Sequence, residues 1–398
     1  MPPDTFCMPV DINSQLDSRR AWVVAFAAFL GSFVSFGLTY CFGVFLKPMS
    51  LEFHASHAVM SALFSTITGL SFFLAPFTGD IADHYGPRPV VGAGAVLMGA
   101  GLILTAHVHS LPLIFLTYGV GLGTAVACTY IPAIAAVGEW FKLRRDLALG
   151  IAISGIGCGT LVAAPLAANL IGRYGWRTTF EIFGWTGAAL LLLCAGLLAR
   201  PPAIVEKKKV SLTGKIRTRT FAFLYISLSL AGIAIYVSLV FLPAYAVEIG
   251  ASRARAAALL GYIGASSVVG RLGLNVLALR FGLTPMYRIA YAALLVSFGF
   301  WLLGHSYSSL VVFALAMGVG YGGIAAMAPA ITAALFGIEG LGELLGILFT
   351  GFSVACLIGP PLAGALVDYT LDYNWAVFIA AAASVLALIF VFPLPRSS

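Results

Sequence analysis

The chain has 398 residues, of which 61% are hydrophobic and only 9% charged, against about 25% charge in a soluble domain. It has too little polar surface to face water on all sides, so a soluble globular fold is excluded. The net charge of +7 is no nucleic-acid signature, because the cations sit in short clusters between apolar runs.

In chain order, the first twenty residues are polar, end in Arg19 and Arg20, and lead straight into a full-length apolar run. That arrangement predicts no cleavable signal peptide. A bilayer core takes about 20 apolar residues per helix. Runs of this kind lie near 22–47, 57–79, 89–107, 111–138, 146–172 and 177–199. A second set lies near 220–246, 255–279, 284–304, 308–335, 343–368 and 374–394. The polar stretch 200–219, with Lys207, Lys208, Lys209, Lys215 and Arg217, reads as a basic linker between 1–199 and 220–398. The expected fold is an all-α membrane protein with twelve transmembrane helices in two pseudo-symmetric six-helix bundles.

Lys and Arg set the orientation. With the N-terminus inside, sixteen cations fall on the inner side, among them Arg88, Lys142, Arg144, Arg145, Arg280, Arg288 and Arg396. Five fall outside: Lys47, Arg173, Arg177, Arg253 and Arg255. Both termini are therefore expected to be cytoplasmic, and the compact chain points to a prokaryotic plasma (inner) membrane. Cys41, Cys128, Cys158, Cys194 and Cys356 lie isolated in apolar runs, which indicates neither a disulfide frame nor a zinc site. No metal, no cofactor and no enzyme chemistry are expected, since no nucleophile–base pair or phosphate loop stands in the loops. Nothing marks an obligatory partner subunit, so a monomer is expected.

The two sets of runs are related. Setting Gly150 on Gly346 also sets Gly155 on Gly351, Pro165 on Pro361, Leu166 on Leu362 and Ala167 on Ala363. Within three residues, the same shift brings Gly119–Gly123 near Gly318–Gly322 and Pro132 near Pro329. Matched prolines and glycines favour a six-plus-six duplication, and they let helices approach, bend and rock.

Between runs two and three stands Gly79-Asp80-Ile81-Ala82-Asp83-His84-Tyr85-Gly86-Pro87-Arg88. This resembles the G-x-x-x-D-x-x-G-x-R loop of the major facilitator superfamily. The resemblance implies a two-bundle carrier working by alternating access, with Gly79, Asp83, Gly86 and Arg88 as gate residues and not substrate ligands. A narrower resemblance is to the monocarboxylate transporter family. Trp140-Phe141-Lys142-Leu143-Arg144-Arg145-Asp146-Leu147-Ala148-Leu149-Gly150 resembles that family's opening of span five, with Leu143 in place of one basic residue. Gly359-Pro360-Pro361-Leu362-Ala363-Gly364 resembles its G-P-P-L-x-G segment. Arg144 and Arg145 join the gate residues on this basis. Arg271 stands where the family carries its substrate-pairing arginine. Oxalate–formate exchangers share much of the pattern. The chain departs from the family at Ser267, where many relatives carry an acid, and at Tyr40, where they often carry a lysine.

Arg271 is the one ionised group near the middle of a run. It lies roughly 5–6 Å inward of the middle of run eight, at about 1.5 Å per residue. An arginine at that depth costs at least about 2.5–3.5 kcal/mol and is a functional candidate by default. Its planar fork matches a carboxylate with two hydrogen bonds. The alternative is a structural arginine tied to helix carbonyls. Tyr40, Tyr130, Tyr236 and Tyr321 are further candidate ligands, as donors to a carboxylate or as packing residues. Asn275, four residues beyond Arg271 on the same helix face, either orients the guanidinium or belongs to the inner gate. Ser154, Ser267 and Phe352 are candidate wall residues.

All fifteen acids and all six histidines fall in loops or at the ends of runs. The residues alone leave symport and anion exchange open; the family resemblance implies proton-linked transport of a small monocarboxylate anion such as lactate or pyruvate. Efflux of cationic drugs is disfavoured, because it goes with a membrane-embedded acid. The expected partners are the anion, a proton and the lipid bilayer, with no nucleic acid.

Overall fold

The structure is a computed structural model that describes residues 16–199, 213–304, 306–337 and 341–395. Most of the expected linker, including Arg200, Lys207, Lys208 and Lys209, lies outside the described residues, as do His305 and Arg396. Eleven helices are long and apolar enough to cross a membrane. Four precede the longest one: α1 (Arg19–Phe53), α2 (His57–Tyr85), α3 (Pro87–His107) and α4 (Leu111–Trp140). The longest runs over Arg145–Leu197, 53 residues. Straight, it would reach about 80 Å, more than twice a bilayer core. Gly175, at φ 81° and ψ 167°, breaks it in a conformation open to glycine and closed to bulkier residues. The break yields α5 (145–174) and α6 (176–197). The others are α7 (Arg219–Glu248), α8 (Arg253–Phe281), α9 (Leu283–Leu303), α10 (Tyr307–Phe336), α11 (Leu341–Thr370) and α12 (Asn374–Val391). The twelve expected spans are present.

Polar caps fix where these helices start. Ser18, Ser56, Thr218 and Ser252 each accept a hydrogen bond from a backbone N–H in the first turn, which satisfies an otherwise orphan donor. Two internal breaks have no simple sequence signature: α1 is interrupted at Cys41, and α4 contains a π-helical turn over Phe115–Val120.

Within the first bundle, α1 packs on α5 through Gly159 and on α6 through Gly187, and α3 packs on α6 through Gly99 and Gly184. In the second bundle α8 packs on α10, α9 on α10 and α12, and α7 on α11 and α12. Three pairs join the bundles: α2 with α11, α5 with α8 and, through Gly43, the second half of α1 with α7. The shift of 196 residues seen in sequence carries over to these seams. Leu161 of α5 lies against Gly261 of α8, and its counterpart Leu357 of α11 lies against Gly69 of α2. Arg88, at the start of α3, donates from Nε to the Leu198 carbonyl at the end of α6. Arg288, early in α9, donates to the Phe392 and Leu394 carbonyls beyond α12, both at 2.7 Å. Each arginine thus ties down the carbonyl-rich end of its bundle's last helix, where a cation is favoured.

The face at which α1 begins and α12 ends is the terminal face, and the opposite one the far face. On the terminal face, Asp17 clasps the loop between α4 and α5. Its carboxylate accepts from the backbone N–H groups of Lys142, Leu143 and Arg144 at 3.2, 3.0 and 3.1 Å. These donors, Leu143 first, hold its carboxyl below the usual aspartate range.

Two predictions follow from this packing. A Cβ at Gly157 of α5 would meet the Gly264 carbonyl of α8 at 2.5 Å, so Gly157→Leu must force the seam apart, an overpacking cost of about 1–3 kcal/mol. Its melting temperature should fall, whereas Gly172→Leu, with nothing within 4 Å, should leave it unchanged. In Asp17→Ala, amide exchange at 142–144 should quicken at pH 7. In the parent chain that protection should be constant from pH 8 to 5, because a lowered carboxyl loses its hold only as pH falls through its folded value.

Candidate functional site

Arg271 is the only charged side chain buried among the described residues, at 2% exposure. The glycines around it explain how a guanidinium comes to lie there. Gly322 of α10 abuts the Ser267 backbone of α8, and Gly318 abuts Ser266. A side chain at either position would push α10 away. With the helices this close, the Tyr321 ring lies 5.3 Å from the guanidinium carbon, within range of a cation–π contact. From the other side Gly157 admits α8 to α5, and Arg271 NH1 donates to the Ile153 carbonyl at 3.1 Å. Its Nε and NH2 are buried and have no hydrogen-bonding protein group. Two of the three guanidinium nitrogens are therefore uncommitted, and no buried Asp, Glu or His is present among the described residues.

Tyr40, Tyr130 and Tyr321 stand near this charge, and further aromatic rings from six helices in all extend from them. Tyr40 (α1) and Tyr130 (α4) both lie within electrostatic reach of Arg271 and of Tyr321. Tyr236 (α7) neighbours Tyr40, Tyr130 and Tyr321. Phe36 packs edge-on to Tyr130 at 4.8 Å and tilted on Tyr40 at 5.3 Å. Phe352 (α11) stacks on Phe72 (α2) at 5.8 Å and packs edge-on to Tyr236 at 6.1 Å. Of the expected residues, Tyr40, Tyr130 and Tyr321 are thus brought near Arg271, while Tyr236 and Phe352 join them through ring contacts. Phe36 and Phe72 were not expected. Phe36 was signalled only by its spacing of four from Tyr40, which puts both on one helix face; for Phe72 the sequence carries no signal above ordinary span packing.

The small polar candidates turn inward on their own helices. Asn275 does not orient the guanidinium, which corrects that expectation: its amide donates to the Arg271 backbone carbonyl at 2.6 Å. The Ser267 hydroxyl donates to the Gly264 carbonyl at 2.7 Å and that of Ser154 to the Ile151 carbonyl at 2.6 Å. Such back-bonds satisfy a hydroxyl in an apolar span. Ser154 does adjoin Ile153, whose carbonyl holds the arginine.

The gate candidates lie on the terminal face, away from Arg271. Gly86 takes φ 91° and caps α2 by donating its N–H to the Ala82 carbonyl. Arg88 binds the end of α6 in its own bundle, and Arg145 Nε donates to the Gly138 carbonyl at 2.6 Å. Arg144 contributes its backbone N–H to the Asp17 clasp. Asp83 is exposed, and a Cβ at Gly79 would meet only Ile131, at 3.7 Å. Arg20, Tyr85, Arg88 and Trp140 line a cleft of about 560 Å³ on this face.

A family model for the Major Facilitator Superfamily matches residues 28–309 and 224–398. The chain belongs to that superfamily. Its relatives include Monocarboxylate transporter 3 of Rattus norvegicus, 30% identical over 393 residues, covering 94% of this chain and 80% of that protein. Monocarboxylate transporter 13 of the same species is 29% identical, covering 93% and 88%. Among solved structures, a bacterial homolog of the human lysosomal transporter Spinster superposes with a TM-score of 0.74 at 17% identity, covering 94% of this chain and 97% of that one. The chain is thus a major facilitator transporter related to the monocarboxylate transporters, and not an enzyme.

The site geometry predicts a conflict between function and stability. A buried cation with two unsatisfied nitrogens destabilises the ligand-free fold, and an apolar replacement of similar length removes that burden. Arg271→Met should therefore raise the melting temperature of the ligand-free protein by about 3 °C, and a fall of that size would contradict the geometry.

Proposed function

We propose that this transporter carries a small monocarboxylate of the lactate or pyruvate kind, with Arg271 as its carboxylate partner. The observation that carries the reading is the buried guanidinium: Nε and NH2 lack protein partners, and no buried acid neutralises it. A bidentate carboxylate supplies both the charge and the acceptors. Tyr40, Tyr130, Tyr236 and Tyr321 surround the bound anion, and Phe352 closes the apolar side. Ser154, Ser267 and Asn275 act as wall and helix-bracing residues. Bundles 1–199 and 220–398, joined by the linker 200–219, rock about the site. Asp83, Arg88, Gly79, Gly86, Arg144 and Arg145 shape the gate on the terminal face, which is the cytoplasmic side of a plasma membrane. The protein works as a monomer.

We further propose that a proton crosses with the anion, as the resemblance to the monocarboxylate transporter family implies. One observation favours exchange of one anion for another instead: no buried acid or histidine stands beside Arg271 among the described residues. Counterflow from preloaded vesicles without a pH gradient distinguishes the two.

Uptake of labelled lactate into proteoliposomes, with and without an inward proton gradient, tests the reading. Arg271→Ala, which removes the buried charge, and Arg271→Lys, which keeps the charge but loses the planar two-bond fork, should each lower uptake at least about a hundredfold while remaining folded. Normal uptake by either variant would overturn the arginine's role.

A further inference from the structure

On the far face a second polar cluster crosses the junction between the bundles. His57, the first residue of α2, meets Asp368, near the end of α11. Asp368 Oδ1 accepts from the His57 backbone N–H and lies 2.8 Å from the ring Nδ1, and Oδ2 accepts from the Ala58 N–H at 2.9 Å. On the other side of the ring, the Tyr373 hydroxyl sits 2.7 Å from Nε2. Tyr373 follows α11 in sequence, so both partners of the ring belong to the second bundle. His57 and Asp368 keep 29% and 26% of their side-chain exposure, enough for solvent protons to reach them.

The contacts beneath this cluster are apolar or neutral. Gly364 of α11 lies against Ala58 and Ser61, Ser65 donates to the Cys356 carbonyl at 2.5 Å, and Ser353 donates to the Gly69 carbonyl at 3.3 Å. The histidine cluster is thus the charged cap on an otherwise uncharged seam. Opening the far face must separate His57 from Asp368 and Tyr373, because they are carried by different bundles.

We infer that His57 is a proton-binding site which, when charged, latches the far face shut through Asp368 and Tyr373. The ionised carboxylate already takes two backbone N–H groups at the start of α2, so it faces the ring as an acceptor and Nδ1 carries a hydrogen. A neutral ring is held by that bond and by the Tyr373 hydroxyl on Nε2. Burial first, then the Glu248 and Asp368 carboxylates, push the Tyr373 hydroxyl up to about 12, so it stays a neutral donor or acceptor across ordinary pH. Protonating Nε2 turns the hydrogen-bonded pair into an ion pair, with Tyr373 then accepting. Glu248 lies within electrostatic reach of His57, and Asp372 and Lys47 lie within reach of Glu248. All of that attraction is forfeited when the bundles part. Protons therefore favour the closed far face, and losing the ring's second proton weakens the hold.

The latch stands apart from Arg271, and only its external location rests on the orientation proposed above. The test needs no substrate, so its failure is distinguishable from failure of the carboxylate reading. Spin labels at Leu113→Cys (α4) and Leu303→Cys (α9), both exposed at the far face, go into a background whose native cysteines are replaced. Their separation is measured in lipid nanodiscs at pH 5 and pH 8. The ratio of long to short separations should rise about tenfold from pH 5 to pH 8, the scale of one charge-assisted contact. In His57→Gln, and independently in Asp368→Asn, that pH response should vanish. A flat response in the parent protein, or an unchanged response in either variant, would overturn the latch.

Discussion

The protein is organised around one buried charge that its own residues leave half satisfied. Placing a guanidinium in a membrane-embedded core is costly, and a structural arginine would be tied off with carbonyls or an acid. Arg271 instead has one carbonyl, from Ile153, and one aromatic face, from Tyr321. Nearby hydroxyls that could have satisfied it, those of Ser267 and Ser154, bond their own helices. The chain thus keeps two strong donors uncommitted in a setting where an anion is worth far more than in water.

Close helix approach makes that arrangement possible. Without a hydrophobic drive between helices in lipid, small residues let backbones come together. Gly157 on α5 and Gly318 and Gly322 on α10 grip α8 from two sides, and the grip fixes where the arginine and Tyr321 meet. The duplicated seam between α2 and α11 carries no buried charge among the described residues. Its charge lies at the rim, in the His57–Asp368 pair. The α5–α8 and α2–α11 seams share a backbone plan but differ in chemistry: one buries a charge, the other carries its charge at the rim.

Much of this was legible in the sequence because bilayer physics is severe. Twelve runs, their prolines and the glycine repeats are imposed by length and packing, and a lone intramembrane arginine cannot be hidden. The four tyrosines were legible as candidates because few hydroxyl-bearing aromatics lie in the right runs. Other features depended on contacts that spacing does not encode. Asn275 shares a face with Arg271, yet its short side chain reaches the backbone of its own helix before the guanidinium. Phe72 meets Phe352 across 280 residues, and His57 meets Asp368 across 311, so neither pairing leaves a local trace. The break at Cys41 and the π turn in α4 have no simple signature in the local sequence.

The central claim is that Arg271 recognises a carboxylate by its charge and geometry. Calorimetric titration of the purified protein with a monocarboxylate and with the corresponding neutral primary amide tests it most directly. The account predicts that the carboxylate binds at least about a hundredfold more tightly than the amide, since the pair is desolvated and charge-assisted. In Arg271→Gln that preference should shrink to about threefold or less. Equal affinity in the parent protein, or a preference that survives in Arg271→Gln, would contradict it.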